Sequence, residues 1–161
     1  MQVLWAPWRM AYVGGPKTPG CIFCTASTTQ DLRASLVLMQ RPAIVMLNRY
    51  PYASAHLMVA PQRHVPDLGA LPADEFQALM AVLQRAAALL SETYRPEGMN
   101  IGVNLGAAAG AGVKDHLHWH IVPRWNGDTN FMPMLAEVHV IPEHLEATYD
   151  RLRPLFAALA A

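Results

Sequence analysis

A short alternation of histidines with large apolar residues constrains the fold of this chain more than any other feature. Residues 116–122 read His-Leu-His-Trp-His-Ile-Val. Successive side chains of an extended strand point to opposite faces of a sheet, so the pattern predicts a strand with imidazoles on one face and apolar side chains on the other. Residues two apart on such a strand lie roughly 6.5–7 Å from each other. Two of the rings could therefore meet one small charged ligand while the third serves elsewhere.

Three chemical interpretations of these histidines are open from the residues alone. A set of purely structural imidazoles is disfavoured because their desolvation brings no packing gain. A mononuclear catalytic metal centre is a sharper rival, since His-x-His on a strand with one remote histidine is a common zinc arrangement. The preceding loop, residues 105–114, is rich in glycine and alanine, and its backbone amides could approach a bound anion. Phosphate chemistry accounts for both the imidazoles and the loop.

The chain has two cysteines, Cys21 and Cys24, which are three positions apart. Their number excludes a disulfide framework and leaves a redox pair, half of a zinc site or two unrelated thiols. A thioredoxin-like pair should open a helix after a strand, whereas residues 14–20 and 25–29 on either side have the composition of turns. We therefore expect an irregular segment over residues 1–35, with at most a short turn around the cysteines. A zinc site is favoured if two further ligands exist.

The charge balance and the hydropathy pattern exclude several functions. The chain of 161 residues suits one well-buried domain, so we expect a single domain over residues 1–161, with an N-terminal arm over 1–20 and a C-terminal extension over 132–161. Twelve Lys and Arg balance twelve Asp and Glu, which leaves no strong field to hold a nucleic-acid polymer. No apolar run approaches the roughly 18–20 residues of a membrane span, and the first residues lack the pattern of a signal peptide. We expect a soluble, cytoplasmic protein that binds no membrane.

Hydrophobic periodicity predicts an α+β fold. Residues 72–94 carry apolar side chains at steps of three and four, with Pro72 at the first helical position, and predict one long packed helix. A C-terminal helix is expected over residues 143–153, where Pro154 should end or kink it. Short runs of β-branched and large apolar residues predict five strands, at residues 36–39, 43–47, 56–61, 99–104 and 116–122.

Taken together, these motifs resemble the histidine triad (HIT) superfamily of nucleotide hydrolases and transferases. The motifs that carry the resemblance occur in that family's order, and they are Cys21-Ile-Phe-Cys24, Leu47-Asn48, residues 56–64, the glycine-rich loop and residues 116–122. The likeness covers residues 20–124. Residues 4–9 and 123–131 are similar to the bacterial branch with diadenosine tetraphosphate phosphorylase-like and hydrolase-like members. The resemblance implies a HIT-like antiparallel five-stranded sheet and a homodimer.

The same resemblance implies cleavage of the α-phosphate linkage of a dinucleoside polyphosphate such as diadenosine tetraphosphate. The middle histidine, His118, would attack phosphorus and form a nucleotidyl-histidine, while His120 and His56 would contact phosphate or order the triad. An imidazole that is neutral at cytosolic pH is nucleophilic, which suits this role. An adenosine 5'-monophosphoramidase with the same intermediate and a non-catalytic nucleotide-binding sensor are the alternative functions.

We expect six residues to contact the nucleotide. By family position, Asn48 would meet the ribose and Asn104 the phosphate, while amides of the glycine-rich loop would stabilise charge on the phosphate oxygens. The full set is Asn48, Asn104, Gly110, Gly112, Val113 and Trp125, the last as a stacking partner for a base. Many family members carry a Ser or Thr where this chain has Gly112 and Val113. More of the phosphate binding would therefore fall on backbone amides.

One structural zinc ion per chain is the cofactor that the resemblance implies. Its ligands would be Cys21, Cys24, His64 and His116, a closed Cys2His2 set without an open coordination position. Such an ion would pin the N-terminal segment and the end of the third strand to the triad. No organic cofactor is expected, and the partners would be a small nucleotide and a second copy of the chain.

Overall fold

The computed structural model describes residues 20–128 and 142–160. Of the expected N-terminal arm, all but Gly20 lies outside these residues, and so do residues 132–141 and 161 of the expected C-terminal extension. Within the two described ranges, no helix is long and apolar enough to cross a membrane.

A five-stranded antiparallel sheet forms the centre of the fold. Its strands are β1 (Val37–Met39), β2 (Ile44–Leu47), β3 (Leu57–Ala60), β4 (Gly98–Val103) and β5 (Trp119–Arg124), in the spatial order β1-β2-β3-β5-β4. The helices are α1 (Ile22–Thr28), α2 (Ala73–Tyr94) and α3 (Leu145–Ala160), with 3-10 turns at Leu68–Ala70 and Ala107–Ala109. Pro72 is the N-cap of α2 rather than its first residue. The predicted α+β fold, with one long helix and a C-terminal helix on a five-stranded antiparallel sheet, is confirmed.

Helices cover both faces of the sheet. On one face, α2 and α3 pack through side chains such as Leu90 and Phe156 into the larger apolar cluster. On the other face, α1 packs through Phe23 into a smaller cluster that includes Met58 of β3. Because side chains alternate along a strand, the histidines lie on the side of the sheet that faces α1.

The segment around the cysteines is helical, so the expectation of an irregular segment there is wrong. Helix α1 begins directly after Cys21, which is its N-cap. Its residues Phe23 and Ala26 are buried against the sheet. The side-chain amide of Gln40 donates hydrogen bonds to the carbonyl oxygens of Ala26 and Thr29, at 2.9 and 3.0 Å. Helices this short are stabilised by packing rather than by propensity, and seven residues are too few to show a helical period.

Strand β5 begins three residues later than predicted. His116 lies at a bend, and Leu117 donates its backbone N–H to the carbonyl oxygen of Val65 at 2.7 Å. That tertiary bond to the loop after β3 replaces a bond of the sheet. The predicted alternation nevertheless persists, since the side chain of Leu117 belongs to the larger apolar cluster while Phe23 packs on the rings of His116 and His118.

Helix α3 continues past Pro154 to Ala160, so the predicted bounds of residues 143–153 are wrong, and of the two effects expected of Pro154 the end of the helix does not occur. It also begins later than predicted, at Leu145. Proline removes one backbone hydrogen bond from a helix. Leu152 and Phe156 lie on either side of Pro154 and are both completely buried in the larger apolar cluster. Their packing outweighs the lost bond.

We predict that Phe156→Ala lowers the free energy of unfolding by about 3–5 kcal/mol, because it empties a fully buried site. The adjacent substitution Leu155→Ala, at a side chain that is 36% exposed, serves as control and should cost less than about 1 kcal/mol. Denaturant unfolding followed by circular dichroism measures both. Equal effects of the two substitutions would contradict a helix that continues past Pro154 and packs through Phe156.

Candidate active site and metal centre

Four side chains with metal-ligating atoms meet between α1 and the start of β5. The ligand atoms of Cys21, Cys24, His64 and His116 all lie within 4.8 Å of one another. The Nδ1 atom of His116 is 3.3 Å from Sγ of Cys21, 3.7 Å from Sγ of Cys24 and 3.3 Å from Nδ1 of His64. Sγ of Cys24 also lies 3.3 Å from Nδ1 of His64. The structure thus brings together all four predicted ligands.

This cluster fits a tetrahedral cation. With zinc–sulfur bonds of about 2.3 Å and zinc–nitrogen bonds of about 2.0–2.1 Å, tetrahedral angles place sulfur and nitrogen about 3.5 Å apart. The observed separations are close to that value. The Nε2 atom of His116 lies 3.0 Å from the carbonyl oxygen of Pro61. Nε2 therefore carries the proton and donates to that oxygen, which leaves the Nδ1 lone pair for a metal ion.

The position of Cys21 at the start of a helix is a feature that redox pairs share, contrary to the turn-rich setting expected above. Both cysteines are free thiols. Their sulfur atoms lie against the imidazoles of His64 and His116, an arrangement that suits a shared cation.

His118 presents an unprotonated nitrogen to the site. Its Nδ1 atom lies 2.8 Å from the backbone carbonyl oxygen of His116. Because a carbonyl oxygen only accepts hydrogen bonds, Nδ1 carries the proton and Nε2 keeps its lone pair. Burial lowers the pKa of His118 below its ordinary value, and the ring is 3% exposed. A neutral imidazole with a fixed tautomer is a competent nucleophile.

A second chain of hydrogen bonds determines which nitrogen of His120 carries a proton. The backbone N–H of Tyr52 donates to Nδ1 of His56 at 3.1 Å, so the proton of neutral His56 lies on Nε2. That nitrogen is 2.9 Å from Nδ1 of His120. His56 therefore donates to His120, whose own proton lies on Nε2.

Both of these imidazoles are uncharged near neutral pH. Burial, reinforced by the imidazoles of His120 and His118, lowers the pKa of His56 to about 3. Burial and the imidazole of His118 lower the pKa of His120 to about 4. The rings of His118 and His120 are adjacent, with centroids 5.0 Å apart. The site therefore combines a lone pair on His118 with an N–H donor on His120.

Asn48 and Asn104 both lie at the end of the sheet that carries the histidines. Asn48 donates its backbone N–H to the carbonyl oxygen of His56 at 2.9 Å, and its Oδ1 accepts from the backbone of Tyr50. Asn104 follows Val103, the partner of Trp119 in the ladder between β4 and β5. The structure therefore brings both asparagines close to the triad.

The loop before the triad presents mainly backbone to the site. Gly110 has a positive φ of 85°, a conformation that glycine adopts without strain, and both Gly110 and Gly112 are exposed. The side chain of Val113 packs against the smaller apolar cluster beside α1. Val113 can thus offer a ligand its backbone only.

Within a single chain, Trp125 lies away from the triad. It directly follows β5, five residues beyond His120, which corresponds to about 16 Å along a strand. Its backbone N–H donates to the carboxylate of Asp128 at 3.2 Å. Its predicted contact with a base stays a prediction.

Tyr52 borders the site and was not singled out from the sequence. Its ring is 56% exposed, and its centroid lies 4.7 Å from that of His56 and 6.2 Å from that of His120. The available signal was its position four residues before His56, in the turn between two predicted strands.

Comparisons with known proteins agree with this geometry. The model of the HIT domain matches residues 30–127. The chain is 37% identical over 157 residues to AP-4-A phosphorylase of Mycobacterium tuberculosis, covering 92% of this chain and 80% of that protein. It is 30% identical over 120 residues to bis(5'-adenosyl)-triphosphatase of Dictyostelium discoideum, covering 71% and 80%. The solved structure of a Zn-bound histidine triad family protein from Mycobacterium smegmatis matches with a TM-score of 0.64 and 27% identity, covering 87% of this chain and 95% of that one.

The fold and the site define a small α+β protein in which a row of imidazoles runs into strand β5, between β3 and β4 of the sheet. All three triad histidines lie inside the matched range. The chain belongs to the histidine triad family, whose signature is the HIT domain. The resemblance inferred from the sequence motifs is confirmed.

We predict that His56 makes stability depend on pH. An unfolded histidine binds a proton below about pH 6.5, whereas folded His56, with a pKa of about 3, does not. Between these values the unfolded chain holds more protons, so stability rises with pH and is lost on acidification, by at most about 1.4 kcal/mol per pH unit.

The variant His56→Asn lacks this group, so its free energy of unfolding should change less between about pH 6 and about pH 4. Denaturant titrations of both proteins, in a chelator so that metal release does not contribute, measure the difference. Parallel pH dependences would contradict a neutral, buried His56.

Proposed function

We propose that this protein cleaves the linkage at the α-phosphorus of dinucleoside polyphosphates, with diadenosine tetraphosphate as a representative substrate. One observation carries the proposal: Nε2 is unprotonated in His118 and protonated in the adjacent His120, so a nucleophile lies beside a hydrogen-bond donor. The names of the relatives from M. tuberculosis and D. discoideum support this substrate class.

In the first half-reaction, Nε2 of His118 attacks the α-phosphorus and forms a phosphorus–nitrogen bond. The bond from phosphorus to the bridging oxygen breaks, and its electron pair leaves with the nucleoside polyphosphate. The N–H on Nε2 of His120 would donate a hydrogen bond to that oxygen and stabilise its developing charge, and His56 holds His120 in the donating tautomer. The product of this step is a nucleotidyl-histidine.

In the second half-reaction, an oxygen of inorganic phosphate or water attacks the same phosphorus. The phosphorus–nitrogen bond breaks, its electron pair returns to Nε2 of His118, and the proton of the attacking water or phosphate passes to solvent. With diadenosine tetraphosphate, phosphate as acceptor would give ADP and ATP, whereas water would give AMP and ATP. The similarity to AP-4-A phosphorylase supports phosphate as the acceptor.

Nucleotide binding would come from the end of the sheet and from the loop. We assign Asn48 to the ribose and Asn104 to the phosphate, because both lie beside the triad. Gly112 and Val113 would bind phosphate through backbone amides. The N–H of Gly110 donates to the carbonyl oxygen of Ala107 at 3.0 Å, so Gly110 would contribute by turning the loop towards the phosphate. Because positions 112 and 113 carry no hydroxyl side chain, more of this role would fall on the main chain.

A structural zinc ion is proposed at Cys21, Cys24, His64 and His116, whose spacing suits it. The ion would tie α1 and the end of β3 to the segment that carries His118. Since its four positions are filled by the chain, it would contribute rigidity and no chemistry. The Zn-bound structure of the relative from M. smegmatis supports this assignment.

We further propose a cytoplasmic homodimer in which residues 1–161 form one domain. Strand β4 lies at an edge of the sheet, and its Ile101 is 47% exposed, which suits contact with a second copy. A pair of free thiols three positions apart suits a reducing compartment.

We predict that His118→Ala loses turnover of diadenosine tetraphosphate by roughly 10⁴-fold or more, because it removes the nucleophile. His144→Ala, a histidine outside the site, is the matched control and should keep full activity. Product formation is followed by chromatography. Turnover retained in His118→Ala would contradict the assignment of His118 as the nucleophile.

Intact-mass spectrometry of rapidly quenched reactions distinguishes the alternatives. A nucleotidyl adduct on the wild-type protein is expected, and it should be missing in His118→Ala. Binding without adduct or turnover would indicate a nucleotide-binding sensor instead. Faster turnover of an adenosine phosphoramidate than of the dinucleotide would favour the phosphoramidase, and the products with and without phosphate identify the acceptor.

For the zinc ion, we predict about one zinc per chain by elemental analysis, and loss of both zinc and thermal stability in Cys21→Ser. The control Thr25→Ser, on the exposed side of the same helix, should keep both. A metal-free protein in which the two cysteines are oxidised to each other would instead support the redox pair.

A further inference from the structure

The ring of Tyr52 is exposed although it lies over one of the most deeply buried residues of the site. His56 is 1% exposed, whereas Tyr52 is 56% exposed. The two rings are tilted by 34° with centroids 4.7 Å apart. One side of the Tyr52 ring therefore packs on His56, and the ring keeps a large area open to solvent.

The loop that carries Tyr52 is held in place by its own backbone bonds. The N–H of Tyr52 donates to the ring of His56, and the N–H of His56 donates to the carbonyl oxygen of Ala53 at 3.3 Å. At the start of the loop, Oδ1 of Asn48 accepts from the N–H of Tyr50. An aromatic ring on a loop so fastened loses little conformational freedom when a ligand binds to it.

Two aromatic rings, Phe23 and Tyr52, pack on different histidines of the site. Phe23 packs on the rings of His116 and His118, on the side of the nucleophile. Tyr52 instead packs on His56 and lies 6.2 Å from His120. Tyr52 thus lies beside the histidine pair that is proposed to act on the leaving group, whereas Phe23 lies beside the nucleophile.

We propose that Tyr52 is a specificity-determining residue that stacks on the nucleobase of the leaving nucleotide. This inference rests on the proposed function and adds the second nucleoside as a recognised part of the substrate. Stacking uses the open side of a ring whose other side is already packed. Aromatic side chains stack on any base, so the contact would favour dinucleotides over substrates with a base-free leaving group without selecting a particular base.

The test compares two substrates in wild-type protein, Tyr52→Ala and Tyr52→Phe. Diadenosine tetraphosphate releases a nucleotide from the α-phosphorus, whereas adenosine 5'-tetraphosphate releases triphosphate, which has no base. Tyr52→Ala should raise KM for the dinucleotide by about 5-fold to 100-fold while kcat and the kinetics with adenosine 5'-tetraphosphate stay unchanged. Tyr52→Phe keeps the ring and should behave as wild type.

Equal losses with both substrates would overturn the inference, because they would show that the ring merely supports His56. A loss in Tyr52→Phe would overturn it in favour of a contact from the hydroxyl group. Unchanged kinetics in Tyr52→Ala would overturn it as well.

A binding experiment separates this inference from the proposed reaction. In the inactive background of His118→Ala, calorimetry with ATP and with triphosphate should show that Tyr52→Ala weakens ATP binding alone. Equal effects on the two ligands would overturn the role of Tyr52. If the wild-type protein turns over neither substrate, the proposed function fails, and the calorimetry still decides whether Tyr52 binds a base.

Discussion

The structure depends on one short segment, His116 to His120, that belongs to two sites at once. Leu117 and Trp119 are anchored in the larger apolar cluster, which fixes the rotation of the segment. The intervening imidazoles must then point to the opposite side, towards α1. A shift by one residue would exchange the two sets and bury the imidazoles in the apolar cluster. Burial of apolar side chains on one face thus positions the chemical groups on the other.

Within this segment, a residue of the metal cluster accepts a hydrogen bond through its backbone from the side chain of the nucleophile. The ring of His116 faces the cysteines, while its carbonyl oxygen accepts from Nδ1 of His118. The metal cluster and the nucleophile are therefore joined through a single residue. On the far side, the backbone N–H of Tyr52 acts through His56 on His120. Hydrogen bonds from the main chain thus decide which nitrogen of each ring carries a proton, and they do so at fixed positions of the fold.

The elements with a clear hydrophobic period were predictable, and those held by tertiary contacts were not. The long helix α2 has enough residues to show its period, and the strands lie in short runs of β-branched and large apolar residues that turn residues separate. Helix α1 is too short, and it forms because Phe23 is buried against the sheet. The late start of β5 reflects a bond from Leu117 to Val65, which is distant in sequence. Helix α3 passes Pro154 because Phe156 packs beyond it. In each case a contact between distant residues outweighs the local preference.

The sequence by itself determined the fold class through its hydrophobic patterns, and the family through motifs of residue types at short spacings, such as residues 21–24 and 116–122. The set of four clustered ligands followed from the resemblance to that family. Only the tertiary structure decided how the imidazoles divide their protons. That depends on which carbonyl oxygen or amide lies about 3 Å from each ring nitrogen, and no spacing along the chain specifies such partners. The same holds for Tyr52, whose neighbourhood to His120 arises when β3 pairs with β5. Long-range strand pairing brings together residues that the chain keeps 68 positions apart.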